Sequence, residues 1–123
     1  MRNIEITENQ VIQNKINSRS GFTHEFGVEA NKRYVVGCYS IYEGRNPSIN
    51  TTIHKHISEA LENKDYYDSI GSWFDTEGKT IVTVNQHFND ISQALKMAKL
   101  NNQLSIYDKT SEQVLYLTNY KNR

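Results

Sequence analysis

Cysteine, proline and net charge are all scarce in this chain. A single cysteine, Cys38, among 123 residues excludes an internal disulfide and fits a reducing compartment. Its setting, Val-Val-Gly-Cys-Tyr, is that of a strand, so it reads as an inert core thiol rather than a nucleophile. Lys and Arg number 14 and Asp and Glu 14, for a formal net charge of zero. Without a basic excess the chain lacks the electrostatic footprint that extended nucleic acid demands, although a local basic pocket stays compatible. No apolar run approaches the roughly 20 residues of a membrane-spanning helix, and no signal-peptide pattern opens the sequence. The expectation is a cytoplasmic protein with no membrane partner.

What is present is polar and aromatic. Eight tyrosines and an aromatic share of 11% give a large amphipathic surface, because a tyrosine half-buries and still hydrogen-bonds. Asn, Lys, Ile and Tyr are abundant and have AT-rich codons, an association with a low-GC bacterium or its phage. The length sets one domain over residues 1–123, long enough to bury a core without metal or disulfides.

Periodicity places the elements. Ile4 and Ile6 alternate as in a brief strand, whereas Thr7 followed by Gln10 forms a capping-box pattern for a helix from about Glu8 to Ile16. Phe22, His24, Phe26 and Val28 alternate as in a half-buried strand. The sequence "EANK" then turns the chain into a returning strand from Arg33 to Ser40. Ile49, Ile53, Ile57 and Leu61 recur every four residues, one face of a helix that Ser48 or Asn50 can cap. Arms at Ile70–Asp75 and Lys79–Gln86 flank "DTEG", a hairpin turn closed by glycine. Asn89 or Asp90 caps "ISQALKMAKL", which ends at "NNQ". A last hairpin pairs "QLSIYD" with "EQVLYL". The order ββα-ββα-ββ, after an uncertain N-terminal element, predicts the α+β class: antiparallel sheet from successive hairpins with two main helices.

The chemistry on offer is sparse. His54 and His56 are two apart on a helix and point about 200° apart, and neither His-Glu-x-x-His nor a cysteine pair is present, so no metal site is expected. Asp75 and Glu77 sit together in a turn, where acidic residues are ordinary. No Gly-x-Ser-x-Gly elbow, Walker loop or Gly-x-Gly-x-x-Gly occurs. His24, Glu25 and some serine make a triad on paper, as in most chains of this length. No catalytic residue and no cofactor is therefore expected.

One stretch stands apart. "YEGRNPSINTT", residues 42–52, sets Arg45 just before a helix start. Free N–H groups and about half a positive charge gather at such a start, and anions settle there. Arg45 adds a forked, permanently charged donor, and Asn46, Ser48 and Thr51 add neutral hydrogen-bonding groups. The alternative is a plain connector, with Ser48 capping the helix and Arg45 paired with Glu43. Phe88, at a strand end before the next helix, suits either a core plug or a ring that stacks on a base. Trp73 has the same two readings, core first. Arg33, in the "NKRY" turn, is a second phosphate candidate.

The stretch "GSWFDTEGKTIVTVNQHFNDISQALKMAKLNNQLSIYD" resembles a group of short phage and prophage accessory proteins. The residues that carry the likeness are Gly71, Trp73, Asp75, Gly78, Val82, Val84, Ala94, Ala98, Asn101, Gln103, Ile106 and Asp108. "RYVVGCYS" is similar to an aromatic-x-Val strand of the same group, so the likeness covers the C-terminal two-thirds. It also extends to anti-Thoeris proteins, which sequester a cyclic ADP-ribose signal without cleaving it. The resemblance implies a counter-defence protein in an infected or lysogenic bacterial cell, binding a small nucleotide-derived ligand. No binding residue is carried over from it. A homodimer is expected, since small proteins often complete such pockets across a two-fold interface. The rival expectations are an inhibitor that binds a host defence protein directly and a small nucleotide-processing enzyme.

Overall fold

The computed structural model describes residues 7–18, 21–27, 30–45 and 51–120. The chain runs α1 (Glu8–Asn17), β1 (Phe22–Glu25), β2 (Tyr34–Gly44), α2 (Thr51–Leu61), β3 (Ser69–Phe74), β4 (Thr80–Phe88), α3 (Ile91–Leu100), β5 (Ser105–Asp108) and β6 (Gln113–Tyr116), then a 3-10 turn at Leu117–Tyr120. The fold is α+β, as the sequence predicts, with the six strands in one antiparallel sheet of order β1-β3-β4-β2-β5-β6.

Local chemistry accounts for most boundaries. The Thr7 side chain accepts the Gln10 N–H at 3.1 Å and starts α1. Asp90 caps α3, accepting from the N–H groups of Ser92 and Gln93. Asp75 accepts from the N–H groups of Glu77 and Lys79, and Gly78 takes a φ of +78°, which a glycine adopts without strain. The acidic pair in that turn is therefore structural. The expected strand at Ile4 and Ile6, and the caps Ser48 and Asn50, lie outside the described residues.

One expectation is overturned. β1 and β2 do not form a hairpin: β1 pairs with β3, and β2 pairs with β4 and β5. β2 buries Tyr34, Val35, Val36 and Ile41 and takes an interior place in the sheet. The four-residue, half-exposed β1 takes an outer edge instead, where short strands belong.

Side chains directly opposite each other across a ladder share a face. Val82 and Val84 pair with Tyr42 and Tyr39, while Gln86 and Phe88 pair with Val36 and Tyr34. All of these project on one face, which the helices cover. α1 and α2 bring Ile12, Ile16, Ile53, Ile57 and Ala60 onto Ile41, Ile70, Val82 and Val84. α3 brings Ala94, Leu95 and Ala98 onto Tyr34, Val36 and Ile106 further along. The register of β2 slips twice, between Gly37 and Tyr39 and between Ser40 and Tyr42. These bulges add Cys38 and Ile41 as extra residues. They also bring Val35, Gly37, Ser40 and Glu43 together on the second face, opposite the helices.

The sheet curls around that second face. Lys109, just after β5, reaches across to Glu25 on β1, and its ammonium also donates to the Ala30 carbonyl at 2.7 Å. The segment after β1 is held at the same end, where the Phe26 and Gly27 N–H groups donate to the Asp68 carbonyl at 2.9 and 3.0 Å. A Cβ on Gly27 would overlap the Tyr67 carbonyl and the Asp68 backbone, so only glycine allows this approach.

Candidate functional site

The concave face has a closed end and an open end. At the closed end Ser69, Asn85 and His87 are at most 3% exposed. They form a continuous hydrogen-bonded chain. The Thr83 hydroxyl bonds Asn85 Oδ1 at 2.7 Å, Asn85 Nδ2 donates to Ser69 Oγ at 3.1 Å, and Ser69 Oγ meets His87 Nε2 at 2.7 Å. His87 Nδ1 then meets the Ala30 carbonyl at 2.7 Å. A carbonyl only accepts, so Nδ1 carries the proton and Nε2 of the neutral ring accepts from Ser69. Burial lowers the His87 pKa below its ordinary 6.5 and keeps the ring neutral, against the opposing pull of the Ala30 bond. Gly71 leaves room for this chain, since a Cβ there would lie 3.3 Å from Asn85 Nδ2 and 2.9 Å from the Phe22 carbonyl.

This contact has the spacing of a serine–histidine nucleophile pair. Ser69 is wholly buried, however, so no substrate atom reaches its oxygen in this conformation. What the arrangement does is satisfy polar groups under the loop: among the described residues, no buried side-chain polar atom lacks a partner.

At the open end the same face forms a groove of about 190 Å³, lined by Ser40, Glu43, Trp73, Ile81, Thr83 and residues 102–105. Its floor is a row across three strands, Trp73 opposite Ile81 and Ile81 opposite Glu43. Trp73 is 47% exposed, so an indole face is available where the sequence favoured a core position. The far wall is the α3–β5 loop, and amides clamp it to β2. Asn101 Nδ2 donates to the Gly37 carbonyl at 3.1 Å, Gln103 Nε2 donates to the Asn101 carbonyl, and the Gln103 N–H returns to Ala98 at 2.8 Å. Asn102 takes the left-handed conformation, with φ of 57°, which ends the helix. The Gln103 amide lies over Gly37, where a Cβ would come within 2.7 Å of its oxygen.

The residues singled out from sequence divide between the two ends. Arg45 follows Gly44, which pairs with Thr80, so it stands at the open end. Its Nη1 is 3.8 Å from where a Gly78 Cβ would be, above the β3–β4 turn. Arg45 is exposed, and among the described residues it forms no ion pair with Glu43. Asn46 and Ser48 lie outside the described residues, and Thr51 is the first residue of α2.

Phe88 and Arg33 are elsewhere. Phe88 pairs with Tyr34, eight residues along β4 from Thr80, or roughly 27 Å at about 3.4 Å per residue. One small ligand therefore does not touch both Arg45 and Phe88 of the same chain. Phe88 packs beside the cluster beneath α3, the plug reading. Arg33 makes two 2.8 Å bonds to the carboxylate of buried Asp108. That guanidinium holds the Asp108 carboxyl well below the usual carboxylate range, helped by Ser111 and Thr110 against the cost of burial. Arg33 is thus already neutralised as a phosphate contact.

Cys38 is half-buried rather than in the core, and burial, with Asp68 nearby, pushes its thiol up to about 12. Among the described residues no group of three or more His, Cys, Asp or Glu side chains is placed to hold a metal ion. No helix among them is long and apolar enough to cross a membrane. Fold and groove together define a class: a curled antiparallel sheet, helix-covered on one face, with a tryptophan-floored groove on the other. Comparison with protein-family models, curated proteins and solved structures gives no match to this chain.

Proposed function

We propose that this chain is a phage or prophage counter-defence protein that binds a small phosphorylated nucleotide signal, cyclic or linear, and sequesters it intact. The observation that carries the reading is the half-exposed Trp73 ring in the groove, with the Arg45 guanidinium above the same end of the sheet. An indole face stacks on any nucleobase, and an arginine fork binds phosphate. In this reading Trp73, rather than Phe88, stacks on the base, and Arg45 contacts the phosphate. A sequestering protein needs affinity and burial rather than transition-state stabilisation, and the Ser69–His87 contact is sealed from substrate. A homodimer that closes the groove belongs to the same proposal.

The test is release of intact ligand. The protein is mixed with a nucleotide-signal extract, filtered, heated and filtered again, and the released fraction is analysed by mass. A sequestering protein releases the unchanged signal. Altered products identify an enzyme and sink the reading. Arg45→Ala weakens uptake by roughly 1–2 kcal/mol, the low end for a bond to a charged group because the site is exposed and screened.

A second reading, inhibition of a host defence protein by direct contact, draws on the apolar exposure around the groove. Leu104 is 79% exposed, Tyr116 54% and Val114 50%. A patch of that kind suits a protein interface. Capture of a host protein, with no nucleotide retained, would favour it.

A further inference from the structure

The buried chain behind the groove fixes what the groove can recognise. Each link has one direction, set from the far end by the Ala30 carbonyl. That carbonyl takes the Nδ1 proton of His87, so Nε2 accepts from Ser69. Ser69 Oγ, its own proton spent, accepts from Asn85 Nδ2. Asn85 therefore turns its oxygen to Thr83 and takes the Thr83 hydroxyl proton. Whatever Thr83 presents to the groove is a lone pair. Glu43, on the same floor, is a carboxylate and offers only acceptors. Among the described residues no cation neutralises it. The floor thus holds two acceptors placed diagonally across the β2–β4 ladder, with Ile81 between Glu43 and the aromatic plate, and Arg45, outside the groove lining, stands by the β3–β4 turn at the same end.

We propose that the groove selects a guanine nucleotide: a phosphorylated ligand whose planar base turns adjacent N–H donors toward Glu43 and Thr83. The guanine edge carries a ring N–H next to an exocyclic amine, the donor pair that a carboxylate accepts side by side. Adenine offers one exocyclic amine beside a bare ring nitrogen, and that lone pair would face the Glu43 carboxylate. An unpaired acceptor against a carboxylate is a penalty as well as a lost bond. Asn102, exposed on the facing wall, has an amide N–H for the adjoining keto oxygen. This inference rests on the nucleotide-binding reading above and adds the identity of the base.

Trp73 is the only tryptophan, so its fluorescence reports the groove alone. The full-length protein is titrated with GMP, IMP, AMP and the 2′-deoxy form of GMP. GMP quenches at a concentration at least about ten-fold below AMP, the margin of one charge-assisted hydrogen bond. IMP, with the ring N–H but no exocyclic amine, falls between them. The deoxy form matches GMP, because the donors are on the base. Glu43→Gln, on an exposed side chain, removes the preference for GMP over AMP. AMP equal to or tighter than GMP overturns the inference and leaves nucleotide binding standing. A deoxy form as weak as AMP also overturns it, because the donors would then be the ribose hydroxyls. No quenching by any of the four overturns both readings.

Discussion

Ser69→Ala tests the buried chain from its middle. Ser69 is 0% exposed, and its oxygen both meets His87 Nε2 at 2.7 Å and accepts from Asn85 Nδ2 at 3.1 Å. Alanine removes one oxygen and changes almost nothing else. It leaves a ring nitrogen and an amide hydrogen without partners in the interior. Each such group costs about 1–3 kcal/mol, so the variant loses roughly 2–6 kcal/mol. For a chain of this length that is a fall in Tm of about 8–24 °C. Urea unfolding followed by far-ultraviolet circular dichroism measures it, with an unchanged m-value expected. Ser92→Ala, on the exposed face of α3, is the control and stays within about 0.5 kcal/mol. Thr83→Val cuts the chain at its groove end, strands only Asn85 Oδ1, and falls between the two. If Ser69→Ala matches the Ser92 control, the polar chain is not holding the closed end and the directional argument built on it fails.

Further expectations concern pH and packing. His87 has its folded-state pKa below the unfolded value of 6.5, so the unfolded chain binds more protons and stability falls as pH drops below about 6.5. Lys109 adds to that depression, while Asp68 and Glu25 oppose it. His87→Gln flattens the slope, and His24, also depressed by burial and then by Lys15, leaves a residual slope; a slope unchanged in His87→Gln would contradict the buried neutral ring. Asp108, depressed by Arg33, contributes stability that is present above its unfolded pKa of about 3.9 and is lost as pH falls below it. Asp108→Asn should therefore show a shallower acid limb in an acid titration. Gly27→Ala forces a methyl into the Tyr67–Asp68 backbone, and it destabilises more than Gly21→Ala, whose added Cβ would meet only the Ser72 carbonyl at 3.5 Å; equal denaturation midpoints would refute the close approach.

The fold was legible where the sequence carries unambiguous local signals. Thr7 and Gln10, Asp90, and the "DTEG" turn with Gly78 each place a boundary through one or two hydrogen bonds between near neighbours. The partner of β1 was not legible, because pairing across the sheet depends on burial of whole strands rather than on chain order. The groove was hidden for a different reason. Ser40 belongs to the same face as Val35 and Gly37 only because the first bulge shifts the phase of β2, and the second bulge returns Glu43 to that face, so strict alternation has no place for Ser40 there. Trp73 reads as core from the sequence because tryptophan is usually buried, yet it lies in the outer half of its strand and is half-exposed. Asn101 and Gln103 belong to the phage-protein resemblance and to the "NNQ" that ends α3. The Asn101 amide proves to bind the groove wall to β2, and the Gln103 amide braces that wall through the Asn101 carbonyl.

The central claim is that ligand binds at the open end of the curled face. Amide chemical-shift mapping during a GMP titration tests it most directly. The account predicts that shifts concentrate at the Trp73 indole, Glu43, Arg45, Thr83 and Asn102, with Arg33 and Phe88 unmoved. Shifts centred on Arg33 and Phe88, or none at the Trp73 indole, would contradict it.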